Sequence, residues 1–231
     1  MKPEMVAALA AATAARRPGA FAKRLTDGAE FLLPDAAAPA ALSEAAAAAL
    51  AADRTGPVTL DGEPWFIEAR NPAPRLILVG AVHIAQALAP LAAMTGFAVI
   101  LVDPRRAFAN EDRFPGATMN NDWPDAAIDA LRPDIRTAVV TLTHDPKLDD
   151  PALDRALRSD AFYLGALGSR KTHAARLARL RDLGHDEAAL RRIRGPVGLD
   201  IGAITAPEIA LSVISEIVAV RRQGGLAART P

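Results

Sequence analysis

The chain contains no cysteine. That absence excludes a disulfide framework, a zinc–thiolate site, a thiolate-held iron–sulfur cluster and a cysteine nucleophile. It fits a reducing compartment, and a cytoplasmic location is expected. Aromatic residues are scarce at 4%, so the core must be packed from Leu, Ile, Val and the abundant Ala. Net charge is missing as well. Lys+Arg and Asp+Glu both number 27, which argues against a nucleic-acid partner but leaves room for a local basic pocket. No apolar run reaches the roughly 18 residues that a spanning helix needs, so no membrane span is expected. The first twenty residues are Ala-rich rather than Leu-rich, with Glu4 early and Arg16-Arg17 where a cleavage site would fall. They read as an amphipathic helix and not as a signal peptide. What is abundant is apolar residue: 51% of 231 residues, enough for one large domain or a small one attached to a larger one.

Residues 1–70 and 75–231 have different patterns. In the first segment, Ala20–Leu25 and Ala29–Leu33 flank Thr26-Asp27-Gly28, and Val58–Leu60 and Trp65–Glu68 flank Asp61-Gly62-Glu63. Asp-Gly between strand-like runs predicts hairpins. An Ala-rich helix over about Pro39–Ala52 lies between them, so 1–70 is expected to be a small α+β domain. Asn71-Pro72-Ala73-Pro74 makes a stiff extended connector. From Arg75 onward, strands and helices alternate. Leu76–Val79 is a continuous apolar run, as a parallel strand buried on both faces requires, and a helix follows over Ile84–Thr95. Further strands are predicted at Phe97–Val102, Thr137–Leu142 and Ala161–Leu164, with helices at 149–158, 170–183 and 186–193. Thr205-Ala206-Pro207-Glu208 is a capping box before the last helix, whose apolar stripe is Ile209, Val213, Ile217 and Val220. This alternation implies a Rossmann-like parallel sheet with helices on both faces over 75–231.

Four segments could carry chemistry. Gly80-Ala81-Val82-His83 sits between a strand and a helix, and Asp103 follows twenty-three residues after Gly80, where dinucleotide folds place an acid for the ribose. Val82 replaces the glycine that lets a pyrophosphate approach the backbone, which argues against the usual diphosphate path. Thr143-His144-Asp145 ends the third strong strand, at the edge where ligands bind in open α/β sheets. It is either part of that crevice or a helix cap made by Asp145 or Asp149. Gly165, Gly168, Ser169, Arg170 and Lys171 combine glycines, a helix start and cations, the makings of an anion site. The alternative is a capped helix whose basic face, continued by Arg176, Arg179 and Arg181, is solvated. Gly198, Asp200 and Gly202 lie in a glycine-rich loop, where Asp200 either faces a ligand or ties the loop through backbone amides. His83, His144, His173 and His185 show no metal-binding spacing, and no nucleophile elbow is present. No metal site and no catalytic residue are therefore assigned.

Taken in order, Pro74–Gly80, Val102–Arg105, Arg113–Pro115, Leu142–Asp149, Gly165–Lys171 and Pro196–Ala203 with Pro207–Ala210 resemble the XdhC/CoxI family. The resemblance covers roughly residues 65–231. It implies an accessory factor, without turnover of its own, that binds molybdenum cofactor, supports its sulfuration and delivers it to a molybdenum hydroxylase of the xanthine dehydrogenase or carbon monoxide dehydrogenase type. The implied partners are that apoenzyme and a sulfur-donor enzyme, and a homodimer is the default from base rates. The candidate cofactor-binding set is Gly80, His83, Asp103, Arg105, Thr143, His144, Asp145, Gly165, Gly168, Ser169, Arg170, Lys171, Gly198, Asp200 and Gly202. Two features depart from the family pattern. Its usual Gly-Ala-Gly-His is Gly80-Ala81-Val82-His83 here, and its longer N-terminal domain, with a cysteine in a glycine-rich segment, is compressed and cysteine-free. An NAD(P)-dependent oxidoreductase with His144 as acid/base, and a structural partner that has lost its ligand, are the competing readings.

Overall fold

The structure, a computed structural model, describes residues 3–222. The chain divides into two compact units between Pro72 and Ala73. The first contains α1 (Pro3–Ala14), β1 (Gly19–Arg24), β2 (Glu30–Leu33), α2 (Ala40–Ala51), β3 (Gly56–Leu60) and β4 (Glu63–Arg70). Both hairpins form, and β1 pairs with β4 to give an antiparallel sheet in the order β2-β1-β4-β3. Alternate residues of β1 and β4 (Ala20, Ala22, Trp65, Ile67) pack with Leu42 and Ala46 of α2. This follows the two-residue period of a strand against the helical spacing of α2. The first helix is present, but Leu9 is its one buried residue. Alanine on every side gives it little amphipathic contrast.

The second unit contains β5 (Arg75–Val79), α3 (His83–Met94), β6 (Ala98–Val102), β7 (Thr118–Asn120), α4 (Pro124–Leu131) and β8 (Thr137–Thr141). It continues with α5 (Pro146–Leu157), β9 (Tyr163–Ala166), α6 (Arg170–Asp182), α7 (Glu187–Leu190), β10 (Ile193–Arg194) and α8 (Ala206–Arg221). All six strands are parallel, in the order β10-β9-β8-β5-β6-β7. Counted within this unit, that is the 3-2-1-4-5-6 order of dinucleotide-binding folds, which reverses between its first and fourth strands, β5 and β8. Leu76 and Leu78 of β5 face a core shared with α3 and α8. Ile77 and Val79 face a second core shared with α4, α5, α6 and α7. Burial on both faces explains why the strands read as unbroken apolar runs.

Pairing moved several boundaries. The weaker strand expected at Ala161–Leu164 runs over Tyr163–Ala166 because its register against β8 joins Ala138 to Tyr163 and Thr141 to Ala166. The helix expected at 186–193 stops at Leu190, and Ile193–Arg194 becomes the edge strand β10 against Leu164 and Gly165. The last helix begins as its sequence indicates. Thr205 accepts from the Glu208 amide, and the Glu208 carboxylate accepts from the Thr205 amide.

Candidate functional site

The sheet's carboxyl edge gathers the turns that carry most of the candidate residues. At the end of β5, Gly80 has φ of +112°, and its amide bonds to the Val102 carbonyl at 2.9 Å. A Cβ built there would lie 2.4 Å from Thr143 Cγ2. Only glycine allows both this backbone angle and so close an approach. The turns after β5 and β8 therefore touch at the point where strand order reverses. Val82 follows as the residue preceding α3 and offers no side-chain cap. The first intrahelical bond here is from the Gln86 amide to the Val82 carbonyl, so the amides of His83, Ile84 and Ala85 precede it.

Asp103, at the end of β6, is 1% exposed. Its Oδ2 accepts from the Ala81 amide at 2.8 Å and from Arg105 Nη2 at 2.8 Å. Its Oδ1 accepts from the Arg105 amide and Arg105 Nε, both at 2.9 Å. Burial by itself would raise the Asp103 pKa, but the Arg105 side chain and the Ala81 and Arg105 amides outweigh it and hold the carboxyl below its ordinary value. The acid thus braces the Gly80-Ala81 turn and is paired with the Arg105 side chain.

The β8–α5 turn is built around a residue that sequence reading offered only as an alternative cap. Asp149, 1% exposed, accepts from Thr143 Oγ1 at 2.7 Å and from the His144 amide at 3.2 Å. His144 is held at φ of +63° with its ring exposed. Asp145 caps α5 by accepting from the Lys147 amide. Arg176, also 1% exposed, donates to the Leu167 carbonyl at 2.8 Å and lies 3.5 Å from Asp149. This joins the turns after β8 and β9. Burial pushes the Asp149 carboxyl up, against the pull of Thr143 and Arg176. Burial also lowers the Arg176 pKa, yet a guanidinium stays charged at any working pH, so the two form a desolvated ion pair. Of the solvated basic face that was the alternative reading of α6, Arg176 is instead internal, while Arg179 and Arg181 stay at the surface and pair with Asp150 and Glu187.

Gly168 and Ser169 lead into α6, and Ser169 caps it by accepting from the Thr172 amide. Arg170 and Lys171 follow in the first turn, both exposed and without a carboxylate partner among the described residues. Gly165, inside β9, would place a Cβ 2.5 Å from Val197, so the 195–205 loop packs directly on the strand. Sequence reading missed what ties that loop. Glu216 Oε2 accepts from the Gly198 amide at 2.9 Å and from Tyr163 Oη at 2.5 Å, and its Oε1 lies 3.2 Å from Arg194. The signal was a lone carboxylate between Ile214 and Ile217 on the apolar stripe of α8. Asp200 does not serve as the tie. It and Gly202 are exposed, and among the described residues no hydrogen bond joins their side of the loop to the Gly80–Thr143–Gly168 turns.

A parallel sheet in this order, with helices packed on both faces, defines a Rossmann-type domain. The sequence model of the XdhC Rossmann domain matches residues 76–217, and the chain belongs to that family. It is 37% identical over 151 residues to the Escherichia coli molybdenum cofactor insertion chaperone PaoD, covering 65% of this chain and 41% of that protein. It is 36% identical over 159 residues to a probable xanthine dehydrogenase subunit of Bacillus subtilis, covering 68% and 46%. The chain thus spans less than half the length of these curated relatives. A Bacillus halodurans protein solved as a xanthine dehydrogenase superposes on 99% of this chain and 66% of its own length. The TM-score is 0.72 and the identity 20%, a likeness of fold. No helix among the described residues is long and apolar enough to cross a membrane.

Proposed function

We propose that the chain binds molybdenum cofactor at the carboxyl edge of its Rossmann unit and assists insertion of that cofactor into a molybdenum hydroxylase. The observation that carries this reading is the α6 start, where Arg170 and Lys171 are exposed and without a carboxylate partner among the described residues, just after Gly168, whose built Cβ would lie 3.7 Å from His144 Nδ1. Backbone amides, helix dipole and cations together suit a phosphate. The residues present fit the group. The cofactor is a pterin dithiolene with a phosphate, so it brings its own sulfur ligands to molybdenum. A chain without thiols can still hold it by phosphate and pterin. In this reading Arg170, Lys171 and the α6 amides take the phosphate, and Gly80, Gly168, Thr143 and His144 line the approach.

Support also comes from family membership and from the insertion-chaperone relative. A sulfur-donor enzyme would act through its own residues, since this chain has no cysteine to carry sulfur. Cytoplasmic location and a homodimer belong to the same proposal. A nicotinamide dinucleotide has less support, because each Asp103 oxygen already accepts two protein donors and none is left for a ribose diol.

The test is retention. The purified chain is mixed with cofactor released from a donor protein, desalted, and assayed for bound pterin fluorescence and for activation of an apo-hydroxylase. Near-stoichiometric retention with activation is expected. No retention, with the chain alone or with its target enzyme present, overturns the reading.

A further inference from the structure

Large apolar side chains stand in solvent at both ends of the Rossmann sheet's carboxyl edge. At one end Trp123, one of only two tryptophans, follows β7 and is 58% exposed. Its segment is fixed in place. The Asn121 side chain donates to the Asp103 carbonyl at 3.0 Å, the Asp122 amide donates to Asn120 Oδ1 at 2.8 Å, and the Trp123 carbonyl accepts from the Ala127 amide at 2.9 Å. At the other end the loop after β10 presents Ile201, 53% exposed, and Ile204, 86% exposed. That loop is held as firmly. The Leu199 amide donates to the Ser212 carbonyl, Glu216 accepts from the Gly198 amide, and Glu208 accepts from the Ile204 and Thr205 amides. A Cβ on Gly195 would collide with the His173 ring, so the loop starts against α6, one turn from Arg170. Helix direction puts both ends on one edge. The last carbonyls of α4 meet Arg75, the first residue of β5, and Arg221 of α8 lies over Phe97, just before β6. Both helices therefore end at the amino edge and begin at the carboxyl edge.

Anchors of this kind lose little freedom on docking, because the chain that carries them is already ordered. The edge also has the dimensions of an interface. Six strands cross it, roughly 24 Å at about 4.8 Å per spacing, and a sheet with a helix layer on each face is roughly 30 Å deep. The product, about 700 Å², is close to the roughly 800 Å² per partner of a standard interface. Each anchor has an exposed carboxylate beside it, Asp122 and Asp200, and neither is in an ion pair among the described residues. We propose that this edge docks the apo-hydroxylase itself: Trp123 and the Ile201–Ile204 pair enter two apolar sockets bordered by basic residues, and the recipient covers the crevice between them. The inference rests on the proposed function and deepens it by assigning the surface that meets the recipient. Carboxylates beside both anchors disfavour an anionic membrane. A second copy docked face to face about the middle of the edge would set the β7 end of one against the β10 end of the other, carboxylate against carboxylate.

The experiment measures binding kinetics of the full chain on an apo-hydroxylase of the xanthine dehydrogenase type, produced in a host that makes no molybdenum cofactor. Wild type is compared with Trp123→Ser, Ile204→Ser and Asp122→Asn, and with Ile135→Ser at the amino edge, where Ile135 is 72% exposed. Trp123→Ser should bind about thirtyfold more weakly and Ile204→Ser about tenfold. Asp122→Asn should slow association and flatten its salt dependence. Ile135→Ser should bind as wild type does. Serine is a favoured residue at the N-cap position that Trp123 holds, so a loss in Trp123→Ser cannot come from a weakened α4. Cofactor retention, assayed separately, should be unchanged in every variant. No binding by wild type, undiminished binding by both anchor variants, or an equal loss in Ile135→Ser overturns the inference. So does a free chain that sediments as a dimer and becomes a monomer in Trp123→Ser, which would assign the face to a second copy. Retention of cofactor without anchor-dependent docking leaves the chaperone reading standing and removes the docking face. Anchor-dependent docking without retention keeps the face and removes the cofactor role.

Discussion

His173 shows how little of a residue's chemistry its neighbours in sequence disclose. It sits one turn into α6, and its Nδ1 is buried without a protein partner. Burial, and then the charge of Arg176, lower its pKa, so the folded protein favours the neutral ring. The unfolded chain binds the proton at about pH 6.5. Between that value and the lower folded value the unfolded state carries more protons, so stability falls as pH drops below about 6.5. A His173→Gln variant should show a flatter decline in urea-unfolding free energy between pH 7 and 5 than wild type. Identical slopes would remove His173 as the cause. Asp103 illustrates the same lesson for function. Its position after the second strand of the Rossmann unit was legible from spacing, but Arg105, two residues on, decides what the acid can do. That depends on a side-chain rotamer which spacing does not encode.

At the scale of elements, α5 and α6 are coupled through the Asp149–Arg176 pair, which holds the turns after β8 and β9 in one arrangement. Removing one partner strands a buried charge. Asp149→Ala or Arg176→Met alone should cost about 3–5 kcal/mol, whereas Asp149→Asn with Arg176→Met should cost clearly less than the sum of the single Asp149→Asn and Arg176→Met losses. Urea unfolding of all four variants measures this, and strict additivity would contradict the coupling. Strong local signals made the elements themselves readable: the unbroken apolar runs of β5, β6 and β8 and the capping box of α8. What escaped were β7, α4 and β10. Three-residue β7 and two-residue β10 exist only through pairing with β6 and β9. Helix α4 opens on Trp123-Pro124 with no side-chain cap to announce it. The missed site residues failed for the same reason. Arg176 acts across 27 positions to Asp149, and Glu216 across 53 to Tyr163.

On the scale of the whole molecule, the chain joins an antiparallel α+β unit to a Rossmann unit, and the candidate site lies in the second. There Gly80 after β5 and Gly168 after β9 each approach the Thr143–His144 turn after β8, near the reversal point of strand order that open α/β sheets use for ligands. Glycine content and strand–helix alternation made that convergence foreseeable. The loop containing Asp200 was expected at the same crevice; its anchor is Glu216 of α8, and Asp200 itself is exposed. In a chain with no net charge, Arg170 and Lys171 at the start of α6 are exposed and without a carboxylate partner among the described residues.

The most direct test of the central claim is equilibrium binding of molybdenum cofactor to wild type and to Arg170→Ala, with NAD and NADP titrated alongside. Selective cofactor binding is expected, weakened about tenfold in the folded variant by the loss of one charge-assisted phosphate contact. Tight NAD binding, or cofactor binding by neither protein, would contradict the claim.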